Sequence, residues 1–269
     1  MKRSRLAITF SLILIISISA CRKNDKEEDN DITFSRDNAE AQSAFSGIWK
    51  QLSEVSDSTT QLRLASCATW TLDNYDTVTY PKTLTIDYGT VNCLCSDGVN
   101  RRGKIIATYS GKYRNPGTII SITLNNFFHN NNQVQGSQSF TNSGLNTAGN
   151  LTYSAIVSNG SITTSLGIIS WSSNQTIEWV SGQSTMMNPF DDAYLISGSS
   201  SGTGLNGNSF TTSINSPLRT ELACRWITSG SFILSPQNYS SMTMDYGSGG
   251  CDNSATVTLN ASTTTISLY

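Results

Sequence analysis

Charge is scarce in this 269-residue sequence: Asp, Glu, Lys and Arg make up 13% of it, against a share of roughly 25% in ordinary globular proteins. The 17 Lys and Arg against 19 Asp and Glu leave a net charge of −2. There is therefore no basic field of the kind that captures nucleic acid. Histidine is present once, so a serine or cysteine hydrolase built on a histidine base would have to use His129 itself. Its context, Phe127-Phe128-His129-Asn130, has no nucleophile elbow around it and reads as the start of a polar loop. Helical periodicity is also missing from most of the chain.

Ser, Thr, Asn and Gly take the place of the missing charge, a mixture suited to strands with hydroxylated faces joined by tight turns. One helix is expected over 38–54, where Ala41, Phe45, Ile48, Trp49 and Leu52 share a face and Asp37 or Asn38 caps the start. After Cys67 nearly every segment alternates as a strand does. Leu151, Tyr153, Ala155 and Val157 lead to Asn159-Gly160, and Ile162, Thr164, Leu166 and Ile168 lead away, which predicts a two-residue hairpin. Asn206-Gly207 predicts another turn, and Asn260 to Ser262 the last one. Trp171 and Trp179 are expected in the core. Successive hairpins imply antiparallel neighbours, because parallel pairing needs long crossovers. The expected fold is all-β: an extended or sandwich-like antiparallel sheet with one N-terminal helix, in one domain or in two that divide near 136–150.

One stretch occurs twice. Lys82-Thr83-Leu84-Thr85-Ile86-Asp87-Tyr88-Gly89 is followed by Cys93, and Ser240-Ser241-Met242-Thr243-Met244-Asp245-Tyr246-Gly247 by Cys251. Upstream of each lies a cysteine close to a tryptophan, Cys67 with Trp70 and Cys224 with Trp226. The repeat marks related modules near 67–110 and 224–269 and suggests the disulfides Cys67–Cys93 and Cys224–Cys251. Cys67 with Cys95 is the alternative in the first module, and a metal centre of Cys67, Cys93 and Cys95 is a rival without a fourth convincing ligand. No cofactor or metal is expected. Asp73 with Asp76, and Asp191 with Asp192, are the carboxylate pairs open to calcium or acid-base chemistry, although a turn role suits each. In each Asp-Tyr-Gly corner the carboxylate of Asp87 or Asp245 is placed to accept a backbone N–H and fix the bend.

The N-terminus has the form of an export signal: Lys2, Arg3 and Arg5, then an apolar run from Ala7 to Ile18, then the small residues Ser19 and Ala20. That run is shorter than the roughly 20 residues of a membrane span. Ile18-Ser19-Ala20-Cys21 resembles a bacterial lipobox. The resemblance implies removal of residues 1–20, acylation of Cys21 and attachment to a membrane through lipid. Residues 21–36 read as a disordered acidic tether. Within it Lys26, Glu27, Glu28 and Asp29 resemble the export tag of surface lipoproteins of the Bacteroidota. The repeated Cys, Trp and Asp-Tyr-Gly arrangement is similar to that of uncharacterised lipoproteins of the same group.

These resemblances imply an outer-membrane, lipid-anchored protein facing the cell exterior, with residues 37–269 as a β-rich domain. A noncatalytic binding or structural module is expected, with an extracellular polymer or envelope protein as partner; a secreted glycan hydrolase using loop carboxylates is the alternative. If Asp245 fixes its corner, Asp245→Ala removes about 1 kcal/mol and lowers the melting temperature by about 2–4 °C without abolishing a chemical activity. Equal melts for variant and parent would remove that role.

Overall fold

The computed structural model describes residues 25–56, 67–76, 78–185 and 188–268, with backbone alone for 25–31 and 56. Cys21, the signal segment, Met186 and Met187 lie outside the described residues, as do the side chains of Lys26, Glu27, Glu28 and Asp29. One helix, α1 (Asp25–Ser56), precedes β1 (Thr69–Leu72), β2 (Lys82–Asp87), β3 (Cys93–Leu94), β4 (Asn100–Tyr109), β5 (Ile119–His129), β6 (Asn132–Leu145) and β7 (Leu151–Thr164). Then come β8 (Gly167–Ser181), β9 (Ala193–Thr203), β10 (Ser209–Glu221), β11 (Ile227–Pro236), β12 (Met242–Ser248), β13 (Ser254–Leu259) and β14 (Ser262–Ser267).

All the strands form one antiparallel sheet. Apart from the short β3, which pairs only with β4, they lie side by side in sequence order, so β1 and β14 are the two open edges. The all-β array of successive hairpins is therefore the fold. The β6–β7 pairing runs from Gln133↔Thr163 to Leu145↔Leu151, and the sheet continues without a division near 136–150. No described helix is long and apolar enough to cross a membrane.

Two properties of α1 explain how so long a sheet is organised. From Phe34 to Glu54 its residues are buried or half-buried except for Arg36, including the polar Asn38, Gln42, Lys50, Gln51 and Ser53. A helix covered all round must be enclosed rather than laid on a face. Its contacts also come from both ends of the sheet: Gln51 Oε1 accepts from Tyr88 Oη at 2.8 Å, while Ser35 Oγ donates to Met242 Sδ at 3.0 Å. Between these ends Trp49 meets the rings of Tyr113, Phe140, Tyr153 and Tyr194 at 4.7 to 5.9 Å. The sheet curls around the helix, and each fully buried large side chain of this kind contributes about 1.5–3 kcal/mol.

The helix begins earlier than its apolar stripe indicates, and residues 32–36 belong to the domain rather than to a tether. Phe34 is fully buried, edge-on to Phe210 at 6.3 Å and to Tyr239 at 5.5 Å. Local composition could not reveal this, because both partners lie at the far end of the chain.

Asn159-Gly160 also departs from expectation. It sits inside β7 as a bulge, with Asn159 at φ 51° and a register shift against β8 between Val157 and Gly160; the turn falls later, between Thr164 and Gly167. The reason is the helix. A Cβ on Gly160 would lie 2.5 Å from the Trp171 carbonyl oxygen and 2.9 Å from Phe45 Cζ, and Phe45 stacks on Trp171 with centroids 5.3 Å apart. Glycine lets the helix press into the bent sheet. Asn206-Gly207 does form the expected turn, in which the Gly207 N–H donates to the Gly204 carbonyl at 2.9 Å.

The duplicated modules occupy equivalent places near the two ends of the sheet. Cys67 pairs with Cys93 and Cys224 with Cys251, with Cα atoms 5.7 and 5.8 Å apart, leaving Cys95 as a buried thiol. In β2, Asp87 sits between Thr69 of β1 and Lys104 of β4; in β12, Asp245 sits between Ser231 of β11 and Thr256 of β13. Asp87 Oδ1 accepts the Gly89 N–H at 2.9 Å, and Asp245 Oδ1 that of Gly247 at 2.7 Å. Both glycines have positive φ, 78° and 85°.

Gly160→Ala is expected to cost about 1–3 kcal/mol through overpacking, read as a lower urea midpoint with an unchanged slope. A midpoint equal to that of the parent would show that the helix does not need this close approach.

Candidate functional site

Because the sheet is curled but open, its two ends face each other across one side of α1. They are joined there by polar contacts rather than by a strand ladder. Arg225, just before β11, donates from Nη1 to the Gly98 carbonyl at 3.3 Å, in the turn ahead of β4. From the helix, Lys50 Nζ donates to the carbonyls of Cys224 at 2.8 Å and Arg225 at 3.3 Å. Burial pushes the Lys50 ammonium down to about 8. The two carbonyl acceptors still favour the protonated form, which supplies the N–H donors they need.

Beside this seam lies a cavity with about 40 Å³ of space open to the centre of a water molecule, enough for a few waters or one compact group. The helix forms its floor through Glu40, Gly47 and Lys50; Asp97, Arg101 and His129 form one wall, and Thr220, Trp226 and Tyr246 the other.

The first wall is an ion network. Arg101 is 1% exposed and donates from Nη1 and Nη2 to the Asp97 carboxylate at 2.8 and 2.7 Å. Burial opposes both charges, but each partner more than offsets this, holding the Asp97 carboxyl below its ordinary range and the Arg101 guanidinium above its own. His129 Nδ1 lies 3.9 Å from Glu40 Oε1, which accepts from the Asn132 amide at 3.0 Å. Burial pushes the His129 imidazolium down and nearby Arg101 adds to this, outweighing the Glu40 carboxylate. The imidazole is therefore neutral near pH 7. Burial pushes the Glu40 carboxyl up, while His129, Asn132 and Arg225 more than compensate.

Arg101 Nε and His129 Nδ1 on the first wall are buried without a hydrogen-bond partner, and the second wall, which carries no charge, adds further unmatched groups. Thr220 Oγ1, Trp226 Nε1 and Tyr246 Oη are buried and have no hydrogen-bond partner in the protein. Tyr246 is 5% exposed and Thr220 1%. The comparison with the first module is direct, since Tyr88 donates its hydroxyl to Gln51 of the helix while its counterpart Tyr246 ends at the cavity.

The residues singled out from sequence fall mostly elsewhere. Asp73 Oδ1 accepts the Thr83 N–H at 2.8 Å, and Asp76 Oδ1 accepts the N–H groups of Val78 and Thr79 at 2.8 and 2.6 Å. Asp191 Oδ2 accepts from the Thr185 hydroxyl at 2.8 Å, and Asp192 accepts from Trp179 Nε1 and from the Tyr194 hydroxyl, each at 3.2 Å. No metal-holding group of His, Cys, Asp and Glu occurs among the described residues. His129 is not part of a polar loop. It ends β5, 2% exposed, and the turn is confined to Asn130 and Asn131 at φ 48° and 70°. The available signal was alternation: Phe127 and His129 are both buried along β5. Lys50 and Arg101 were missed because a buried cation has no local signature. Asp97 four residues before Arg101 was the one pairing visible in sequence.

Comparison with protein-family models, with curated proteins and with solved structures returns no match to this chain.

A base whose folded pKa is depressed binds protons less well in the native than in the unfolded state, so His129 contributes stability above about pH 6.5 that is lost as pH falls below it. Replacing it by Gln removes this step. The gap in melting temperature between parent and His129→Gln is expected to shrink, or to reverse in favour of the variant, between pH 7 and pH 5. A gap independent of pH over that range would exclude a buried neutral imidazole.

Proposed function

We propose that the protein is a lipid-anchored cell-envelope protein, attached to the outer membrane through acylated Cys21 and facing the cell exterior, whose β roll acts as a noncatalytic binding module. The observation that carries the binding half is the seam: two ends of one sheet, fastened across a buried helix, line a cavity that holds unmatched hydrogen-bonding groups. What supports a noncatalytic role is the occupation of the carboxylates and the lysine there, although His129 Nδ1 is unmatched. Asp97 is held by Arg101, Glu40 faces His129 and Asn132, and Lys50 is engaged by two carbonyls. The loop carboxylates on which a glycan hydrolase would rely are engaged in turns or with buried rings.

The anchor reading has a geometric consequence. Phe34, already in the core, stands thirteen residues after Cys21. That segment reaches at most about 45 Å if extended and about 20 Å if helical. The roll is thus held close to the bilayer, where it meets molecules at or near the membrane surface.

Protease shaving of intact producing cells, with a periplasmic control and mass spectrometry of Cys21, tests the placement. Peptides from residues 67–268 released while the control stays protected, together with an acylated Cys21, are the expected result. Protection with acylated Cys21 would turn the domain inward, and an unmodified Cys21 would remove the anchor.

A further inference from the structure

The seam cavity has the makings of a site for one chemical class. Trp226 Nε1 can only donate, and the Tyr246 and Thr220 hydroxyls rotate to donate, so the unpartnered wall presents N–H and O–H groups that call for an acceptor. Four cationic side chains, Arg36, Lys50, Arg101 and Arg225, line the cavity against the two carboxylates of Glu40 and Asp97. Since Asp97 is matched by Arg101 and Glu40 sits by His129 and Asn132, the surplus is positive. Arg36 is exposed and Arg225 half-buried, which places them towards the solvent side. The unmatched donors and the surplus of positive charge suit a carboxylate or a tetrahedral oxyanion better than a neutral sugar.

The contrast with the first module makes accidental placement a poor account. Leaving a buried donor unmatched costs about 1–3 kcal/mol. The Tyr88 hydroxyl meets Gln51, yet the equivalent Tyr246 shares the cavity with four further unmatched atoms, Thr220 Oγ1, Trp226 Nε1, Arg101 Nε and His129 Nδ1.

We propose that the seam cavity binds a compact anion with several acceptor oxygens, a carboxylate or phosphate group, held by the Trp226 N–H and the Tyr246 and Thr220 hydroxyls with Arg225 at the mouth. This deepens the binding-module reading and rests on it. It stands apart from the anchor, because titration of purified protein succeeds or fails wherever the cell places the chain. The group can be a free ion or the anionic end of a larger envelope molecule.

The test is calorimetric and thermal titration of the full chain in detergent with acetate, with inorganic phosphate and with glucose, against sodium chloride at matched ionic strength. Saturable binding of acetate or phosphate with half-saturation below about 10 mM and a rising melting temperature are expected, with no response to glucose. Preference between acetate and phosphate distinguishes a carboxylate ligand from a phosphate one.

Trp226→Phe and Tyr246→Phe each delete one donor with little change of shape. Each is expected to weaken the anion about tenfold, while Tyr246→Phe leaves the melting temperature of the free protein unchanged or higher, as removal of an unmatched polar group should. Either of two results would overturn the proposal: no anion response beyond that of sodium chloride, or undiminished affinity in both variants. Binding of glucose in place of the anions would overturn the assigned class.

Discussion

The structure depends on the complete enclosure of α1. An open antiparallel sheet of this length has no closing ladder to bring its ends together, so the curvature must be imposed by what it wraps. Trp49, with four aromatic rings at 4.7 to 5.9 Å, is the centre of that wrapping. Phe34 and Phe45 extend it along the axis through Phe210, Tyr239 and Trp171. Enclosure is also a constraint. Most polar groups on the helix find a partner inside the roll, because a buried unmatched group is costly, although Trp49 Nε1 has none. Gln42 and Gln175 exchange amide hydrogen bonds at 2.7 and 3.3 Å, and Asn38 Oδ1 accepts from Trp171 Nε1 at 3.0 Å and from the Ser200 hydroxyl at 3.1 Å. These pairs fix the rotation of the helix, which apolar contact alone would leave loosely specified.

The same constraint produces the seam. Where the ends of the sheet face each other, the exposed ladder edges of the rest of the fold are replaced by side chains: Arg225 reaching Gly98, Lys50 reaching two carbonyls, and Arg101 gripping Asp97. These are the charges that the composition makes scarce, and they are concentrated where hydrogen-bonded strands cannot finish the enclosure. The cavity is a consequence of that geometry. The duplicated modules carry the disulfides and the Asp-Tyr-Gly corners that stiffen each side of it. The pairing Asp87↔Lys104 is also an ion pair at 2.8 Å, whereas Asp245 faces Thr256, so the two modules share a backbone plan and differ in surface chemistry.

Some of this was legible in advance. Alternation located the strands because a half-buried sheet exposes every second residue, and the repeat with its cysteine intervals led to the disulfides that form. The helical stripe from Ala41 to Leu52 was readable for the same kind of reason. The failures share one cause. Local pattern places Phe34 in a tether, Asn159-Gly160 in a hairpin and His129 in a polar loop, whereas each is decided by a partner distant in sequence: Phe210 and Tyr239, Phe45 with Trp171, and Glu40 with Arg101.

By itself the sequence determined what depends on neighbours along the chain: the strand periodicity, the Asp-Tyr-Gly corners, the turns at Asn206-Gly207 and Asn260 to Ser262, and the poverty of charge. Only the tertiary structure decided which groups would share the interior. The curl of the sheet sets distances between residues such as Lys50 and Cys224 or Gly98 and Arg225, and no local pattern encodes a distance between chain segments so far apart. The cavity, and the difference between a tyrosine matched by Gln51 and one left facing open space, belong to that second kind of information.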